Sequence, residues 1–203
     1  MTVAGKISAI VAFLVMLNPF ALFIFLHPVM KALSAKDFSK VLFKASLISF
    51  VIFFVFAATG NFVFEKIFQI NFESFRIFGG IIIFTSTFLF VINGKKSLLG
   101  MQDDLGDIAA ELALPFMVGA GTISLSILMG NKFRSPTVAL LLAAVFAINF
   151  AVIILLKYLR SALPERLREA FDKFMELFLR INGFFMGAIA LNMIIVGINN
   201  LYF

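Results

Sequence analysis

The chain has 203 residues, of which 62% are hydrophobic and only 14% are charged, and its formal net charge is +6. A soluble domain is nearer half apolar and one quarter charged, so this composition excludes an ordinary water-soluble protein. The sequence contains no cysteine, which excludes disulfides, thiolate metal sites and cysteine nucleophiles. We assign the positive net charge to orientation in the membrane rather than to nucleic-acid binding.

Apolar runs of about 20 residues, the length that crosses a roughly 30 Å hydrocarbon core, recur along the chain. They predict an all-α polytopic membrane protein with six transmembrane helices, at about 7–30, 43–64, 75–93, 108–129, 137–158 and 178–199. The first run is too long for a cleavable signal peptide and no cleavage site follows it. Local signals agree with these spans, because "SAKD" at 34–37 predicts a capping box before the second helix, and Ser135-Pro136 predicts a cap and a first-turn proline for the fifth.

The first span contains the stretch "FLVMLNPFALFIF", in which Asn18 and Pro19 interrupt an apolar segment. Proline lacks a backbone donor and disfavours helix in the residue before it. In lipid, non-helical backbone is tolerated only against protein or a water-filled cavity. We therefore predict a helix break that lines a cavity, with a simple kink as the alternative, because proline and glycine are common in membrane helices.

The fourth span carries a similar interruption, at Pro115 and at the Gly119–Gly121 stretch. The string "RIFG" at 76–79 returns as "RING" at 180–183, and "NPFA" at 18–21 has its counterpart in "GAGT" at 119–122, in each case about 100 residues later. These matches predict an internal duplication, with a first repeat at 1–98, a connector at 99–107 and a second repeat at 108–203. Three spans in each repeat make the second copy inverted, so the predicted fold is two inverted three-helix repeats with broken first and fourth helices.

Two opposed helix breaks expose amides with partial positive charge and carbonyls with partial negative charge, which together suit a zwitterion. The predicted substrate-binding residues surround the breaks: Asn18, Pro19, Phe20, Ala21, Gly119, Ala120, Gly121, Thr122 and Ser124. Neutral oxygens suffice for a hard cation, so a sodium site is predicted near Asn18, Thr122, Ser124 and Asn149.

Charged residues lie near the ends of the predicted spans, and none lies deep within one. This pattern argues for a net-neutral substrate, while a proton relay through Glu65, Glu73 or Glu111 stays open. Arg76 and Arg180 are candidate outer and inner gates, with snorkelling to headgroups as the alternative.

The single histidine, His27, is interpreted as lying near the cytoplasmic headgroups. The segment "LPERLREAFDKFMELFLR" before the sixth span is interpreted either as an interfacial amphipathic helix or as an extension of that span.

The cations are divided unequally between the two sides of the membrane. Of the 17 Lys and Arg residues, five fall on the side of the termini and twelve on the other. Positively charged loops stay cytoplasmic, so both termini are predicted to be extracytoplasmic in a multi-pass protein of the cell membrane.

Three motifs in order, "LVMLNPFALFIFL", "FESFRIFGGIIIF" and "IAAELALPFMVGAGTIS", resemble the MarC family over essentially the whole chain. This family is the transporter group typified by SnatA. The resemblance implies six spans, a relation to the LysE superfamily, and transport of small neutral amino acids such as glycine or alanine. This chain departs from the family pattern at three positions, because Ala21 stands for the usual Gly, Ala120 for Pro and Glu111 for Pro.

Together these observations predict a secondary transporter of small neutral amino acids, coupled to a sodium or proton gradient and working by alternating access around a midplane site. The alternative is a passive channel or exporter for small polar solutes. A membrane-embedded enzyme is disfavoured, since one histidine and no deep acid offer little catalytic chemistry. No cofactor is expected.

Overall fold

The computed structural model describes residues 3–60, 62–93 and 117–202, and these are helical almost throughout. The helices are α1 (Val3–Leu17), α2 (Pro19–Phe25), α3 (His27–Ala32), α4 (Ala35–Thr59), α5 (Phe72–Asn93), α6 (Ala120–Lys132), α7 (Ser135–Ala162) and α8 (Glu165–Tyr202). A π-helical turn, Val63–Ile67, lies between α4 and α5. The described part of the chain contains no β-strand.

Five segments of the described residues are long and apolar enough to cross a membrane: Val3–Phe25, Ala35–Thr59, Phe72–Leu89, Ser135–Ala162 and Glu165–Tyr202. They match five of the six predicted spans. The predicted connector 99–107 and the first part of the fourth span, with Glu111 and Pro115, lie outside the described residues. Helix α6 is the later part of that span.

The helix starts follow local sequence signals closely. Ser34 is the N-cap of α4, where its hydroxyl accepts a hydrogen bond from the Asp37 N–H at 3.1 Å and donates to the Asp37 carboxylate at 2.6 Å. The predicted cap at Ser135 was wrong by one residue, because Arg134 occupies the N-cap of α7 without a side-chain bond, and the proline lies in the first turn.

Helix α8 is continuous over 38 residues, or roughly 57 Å at about 1.5 Å per residue. The segment before the sixth span is therefore helical and continuous with that span, as the interpretation of an extension predicts. Its first turns pack against the protein, since Phe171 contacts Phe23 edge to face, and Met175 shares a buried cluster with Phe23 and Leu156.

Two antiparallel helix pairs form much of the molecule. Helices α5 and α8 approach closely at glycines, because a Cβ on Gly80 would lie 2.9 Å from the Ala190 carbonyl oxygen. Helices α4 and α7 meet through aromatic side chains, with Phe43 against Phe150 at 6.4 Å between ring centroids. Helices α1 and α6 lie against both pairs.

Many large apolar side chains lie on the outside of this bundle. Leu140 is 73% exposed, Phe184 65% and Phe78 57%. An apolar outer surface of this kind suits contact with lipid and would be costly in water.

Candidate functional site: the interrupted helices

The first predicted break is present between α1 and α2. Asn18 has a left-handed backbone conformation, with φ of 48° and ψ of 74°, which asparagine tolerates better than most residues. The Asn18 side-chain oxygen accepts a hydrogen bond from the Ala21 N–H at 3.1 Å and so caps α2. The helix then resumes, as the Leu22 N–H donates to the Asn18 carbonyl at 3.0 Å.

The break leaves a carbonyl of α1 without its helical donor. In a continuous helix the Val15 carbonyl would accept from residue 19, but Pro19 has no N–H. The side-chain amide of Asn182, on α8, donates to that carbonyl at 2.9 Å. Asn182 is only 8% exposed, so a buried side chain from the last helix satisfies a backbone group released in the first.

The other half of the Asn18 amide has a weak partner. Asn18 is 2% exposed, and its Nδ2 group donates to the Met186 sulfur at 3.4 Å. A thioether is a poor acceptor. A buried N–H donor held against sulfur would bind a carboxylate oxygen more strongly.

At the second predicted break the helix α6 begins, and the part of that span before Met117 lies outside the described residues. Gly119 is extended, with φ of −126° and ψ of 167°, and α6 starts at Ala120. The Thr122 hydroxyl accepts from the Gly119 N–H at 2.9 Å, and the first intrahelical bond runs from the Ile123 N–H to the Gly119 carbonyl at 2.9 Å. The backbone N–H groups of the first turn of α6 therefore have no acceptor within the helix.

The two breaks lie beside each other. A Cβ placed on Gly121 would lie 2.9 Å from Met16 Cε and 1.8 Å from Ile83 Cδ1. Met16 is two residues before Asn18, so the end of α1 touches the first turn of α6. Helix α5 contacts the same turn through Ile83.

The predicted small residues have different surroundings. Side chains of α1 and α5 already fill the space over Gly121, whereas a Cβ on Gly119 would meet, among the described residues, only Thr122 Oγ1, at 4.0 Å. Ala21 packs against Leu179. Of the predicted glycines at this break, Gly119 is therefore the one with open space beside it.

Pro19 and Phe20 are held by neighbouring helices rather than left open. Pro19 is buried at the start of α2. Phe20 stacks on Phe178 of α8 with 5.0 Å between ring centroids. The Ala120 backbone begins α6, and its side chain is outside the described set.

The predicted sodium ligands are divided among different helices. Ser124 on α6 and Asn149 on α7 are fully buried, and their side-chain N and O atoms have no hydrogen-bond partner among the described residues. Ser46 Oγ on α4 is also buried and has no hydrogen-bond partner among the described residues. The pairing of Phe43 with Phe150 sets Ser46 near the level of Asn149 in the interface between α4 and α7. Thr122 instead bonds within its own break.

The two candidate gate residues lie at opposite ends of the contact between α5 and α8. Arg76 is 8% exposed and pairs with Glu73 of its own helix at 3.3 Å, and Glu73 accepts from Asn200 of α8 at 3.0 Å. Arg180 donates to the Val91 carbonyl of α5 at 3.3 Å and pairs with Glu176 at 3.2 Å. Arg76 is thus largely buried against its neighbours, and its role as a gate stays a prediction.

Sequence reasoning missed Asn182 and Met186. Asn182 appeared only as a letter in the repeated string "RING". The available signal was its polarity, since the corresponding residue of "RIFG" is Phe78, and an amide inside an apolar span needs a partner. Met186 offered no comparable signal.

The sequence model described as "MarC family integral membrane protein" matches residues 4–202. The chain belongs to the MarC family. UPF0056 membrane protein PH0214 of Pyrococcus horikoshii is 21% identical over 192 residues, covering 94% of this chain and 92% of its own. UPF0056 membrane protein MJ0972 of Methanocaldococcus jannaschii is 25% identical over 204 residues, covering 97% and 87%.

UPF0056 membrane protein YhcE of Escherichia coli is 29% identical over 147 residues, covering 68% of this chain and 66% of its own. No solved structure matches the chain with significant similarity. This MarC-family chain is therefore an integral membrane protein whose relatives carry names that state membrane location and no substrate.

Proposed function

We propose that the protein is a secondary transporter that moves small neutral amino acids, such as glycine and alanine, across the cell membrane. The observation that carries the proposal is the contact between the interrupted end of α1 and the start of α6, where Met16 touches Gly121. Interrupted helices that face each other at mid-membrane form the substrate site in several transporter folds.

The groups released by the breaks suit a zwitterion. The first-turn amides of α6 and the Asn18 Nδ2 group are donors for a carboxylate. No described backbone N–H donates to the Met16 or Leu17 carbonyl, since the left-handed turn at Asn18 interrupts the helix and the Ala21 N–H bonds to the Asn18 side chain. These carbonyls are acceptors for an ammonium group.

The packing of the helices supports two inverted repeats. In such repeats α4 corresponds to α7, α5 to α8, and α1 with α2 to α6, so each antiparallel pair corresponds to itself. The remaining contacts correspond too. Helix α6 contacts α4 as α1 and α2 contact α7, and α6 contacts α5 as α1 and α2 contact α8. Alternating access would then proceed by movement of one repeat against the other around the breaks.

A gradient of sodium or protons would drive the transport. Ser124, Asn149 and Ser46 offer buried neutral oxygens that have no hydrogen-bond partner among the described residues, which favours sodium as the coupling ion. No three His, Asp or Glu side chains cluster among the described residues.

The experiment that tests the site compares two glycine variants. Among the described residues, the Cβ of Gly119→Val meets only Thr122, so the packing of those residues should stay intact, but the side chain would occupy the space next to the α6 amides. We expect glycine and alanine to raise the melting temperature of the purified wild-type protein and to have no effect on Gly119→Val. Lys132→Ala, at the far end of α6, is the control and should respond like wild type. A normal glycine response in Gly119→Val would move the substrate site away from the breaks.

A further inference from the structure

A second polar feature lies at the other end of the molecule from the chain termini. It is a cavity of about 170 Å³ where α7 ends and α8 begins, and we call it the basic cavity. Its lining residues are His27, Met30, Lys157, Arg160, Ser161 and Arg168. The proposed transport site uses none of these residues.

Lys157 is the unusual member of this set. Its Nζ atom is buried and has no hydrogen-bond partner among the described residues. It lies over the Phe38 ring, 4.2 Å from the ring centroid. A ring face attracts a cation but accepts no strong hydrogen bond, so the ammonium group lacks the oxygen partners that normally offset its loss of water.

The neighbouring arginines are oriented by other groups and do not offset this charge. Arg160 forms a two-pronged pair with Asp172, at 2.8 and 3.0 Å. Arg168 donates to the Leu163 and Ser161 carbonyls at the end of α7, at 2.9 and 3.3 Å. Among the described residues, three cations and the Asp172 carboxylate thus lie at the cavity, and their charges leave an excess of positive charge.

We propose that the basic cavity is a phosphate-binding site, with Lys157 as its principal ligand. The cavity is open to the surface and has room for a phosphate group. Phosphate oxygens would supply the acceptors that Lys157 lacks and would balance the excess charge. The cavity lies at the end of membrane helices, where lipid phosphates are abundant, so the phosphate comes either from an anionic lipid headgroup or from solution.

The test uses the full-length protein and the variant Lys157→Met, which keeps the unbranched chain against Phe38 and removes the charge. Lys173→Met is the matched control, because Lys173 is an exposed cation on the first turns of α8 outside the cavity. One arm titrates inorganic phosphate, against chloride of equal ionic strength, into protein in nonionic detergent and follows the melting temperature. The other arm counts phosphatidylglycerol and phosphatidylcholine molecules retained by the protein, by native mass spectrometry.

We expect wild type and Lys173→Met to gain melting temperature with phosphate, or to retain phosphatidylglycerol in preference to phosphatidylcholine. Lys157→Met should bind the same probe about ten- to hundredfold more weakly. Without phosphate, Lys157→Met should melt no lower than wild type, because it removes a buried unpaired charge. A response in the first arm alone assigns the site to free phosphate, and a response in the second assigns it to a lipid headgroup.

Three results would overturn the proposal. One is the absence of any response in wild type, and another is an undiminished response in Lys157→Met. The third is stabilisation by glycine that depends on Lys157, which would make the cavity part of the transport path. Loss of the glycine response in Gly119→Val does not bear on this cavity, so the two proposals fail separately.

Discussion

Two asparagines account for most of the hydrogen bonding at the first helix break. Asn18 accepts the left-handed conformation that the break needs and caps α2 with its own oxygen. Asn182 reaches from α8 to the Val15 carbonyl that Pro19 leaves without a donor. An unpaired carbonyl inside a bilayer costs several kcal/mol, because lipid offers no water as a hydrogen-bond donor. The two side-chain amides stabilise the break by pairing its backbone groups.

At this scale we predict that Asn182→Ala destabilises the protein by about 1–3 kcal/mol, because it leaves the Val15 carbonyl buried and unpaired. The measurement is thermal or denaturant unfolding of the purified protein. Asn199→Ala is the control, since Asn199 is an exposed amide on the same helix. Equal stability of both variants would show that the bond between α8 and α1 contributes nothing.

At the scale of the helices, glycines set how closely the elements approach. A Cβ on Gly130 of α6 would lie 1.9 Å from the Ala57 carbonyl oxygen of α4, whereas one on Gly187 of α8 would meet Thr87 Cγ2 at 3.5 Å. The first distance requires the backbones of α4 and α6 to separate, and the second is an ordinary van der Waals contact. Small residues at such crossings are a common basis of helix packing in membranes.

We therefore predict that Gly130→Ala costs about 1–3 kcal/mol of stability through overpacking, while Gly187→Ala is tolerated. The two changes add the same methyl group and differ only in what that group meets. Melting temperatures of the two purified variants provide the test. Loss of stability in Gly187→Ala with none in Gly130→Ala would contradict the close approach of α4 and α6.

At the scale of the whole molecule, the sequence predicted features that depend on short-range chemistry. The apolar runs located five described spans, and Pro19 located the first break, because proline cannot donate at any position. The bond between Asn182 and Val15 could not be predicted, since it joins residues 167 positions apart and depends on how α8 lies against α1. The same holds for Lys157, whose lack of an oxygen partner becomes visible only when α4 and α7 are packed.

The distribution of charge over the whole molecule predicts its orientation in the membrane. The cations lie mainly on the side of the basic cavity, so we predict that side to be cytoplasmic and both termini to be extracytoplasmic. A C-terminal alkaline phosphatase fusion should be active and a C-terminal fluorescent-protein fusion dark. Fusions after Leu163, between α7 and α8, should give the opposite pair. Reversal of both pairs would place the termini in the cytoplasm.

We propose that the end of α1 and the start of α6 bind a small neutral amino acid, which the protein moves against its gradient. Uptake of labelled glycine into proteoliposomes that contain the purified protein, under an imposed sodium or proton gradient, tests this proposal. Glycine should accumulate inside above its external concentration, and the accumulation should collapse with the gradient and be absent in Gly119→Val. Glycine that merely equilibrates across the membrane, whatever gradient is imposed, would contradict a coupled transporter and identify a passive channel.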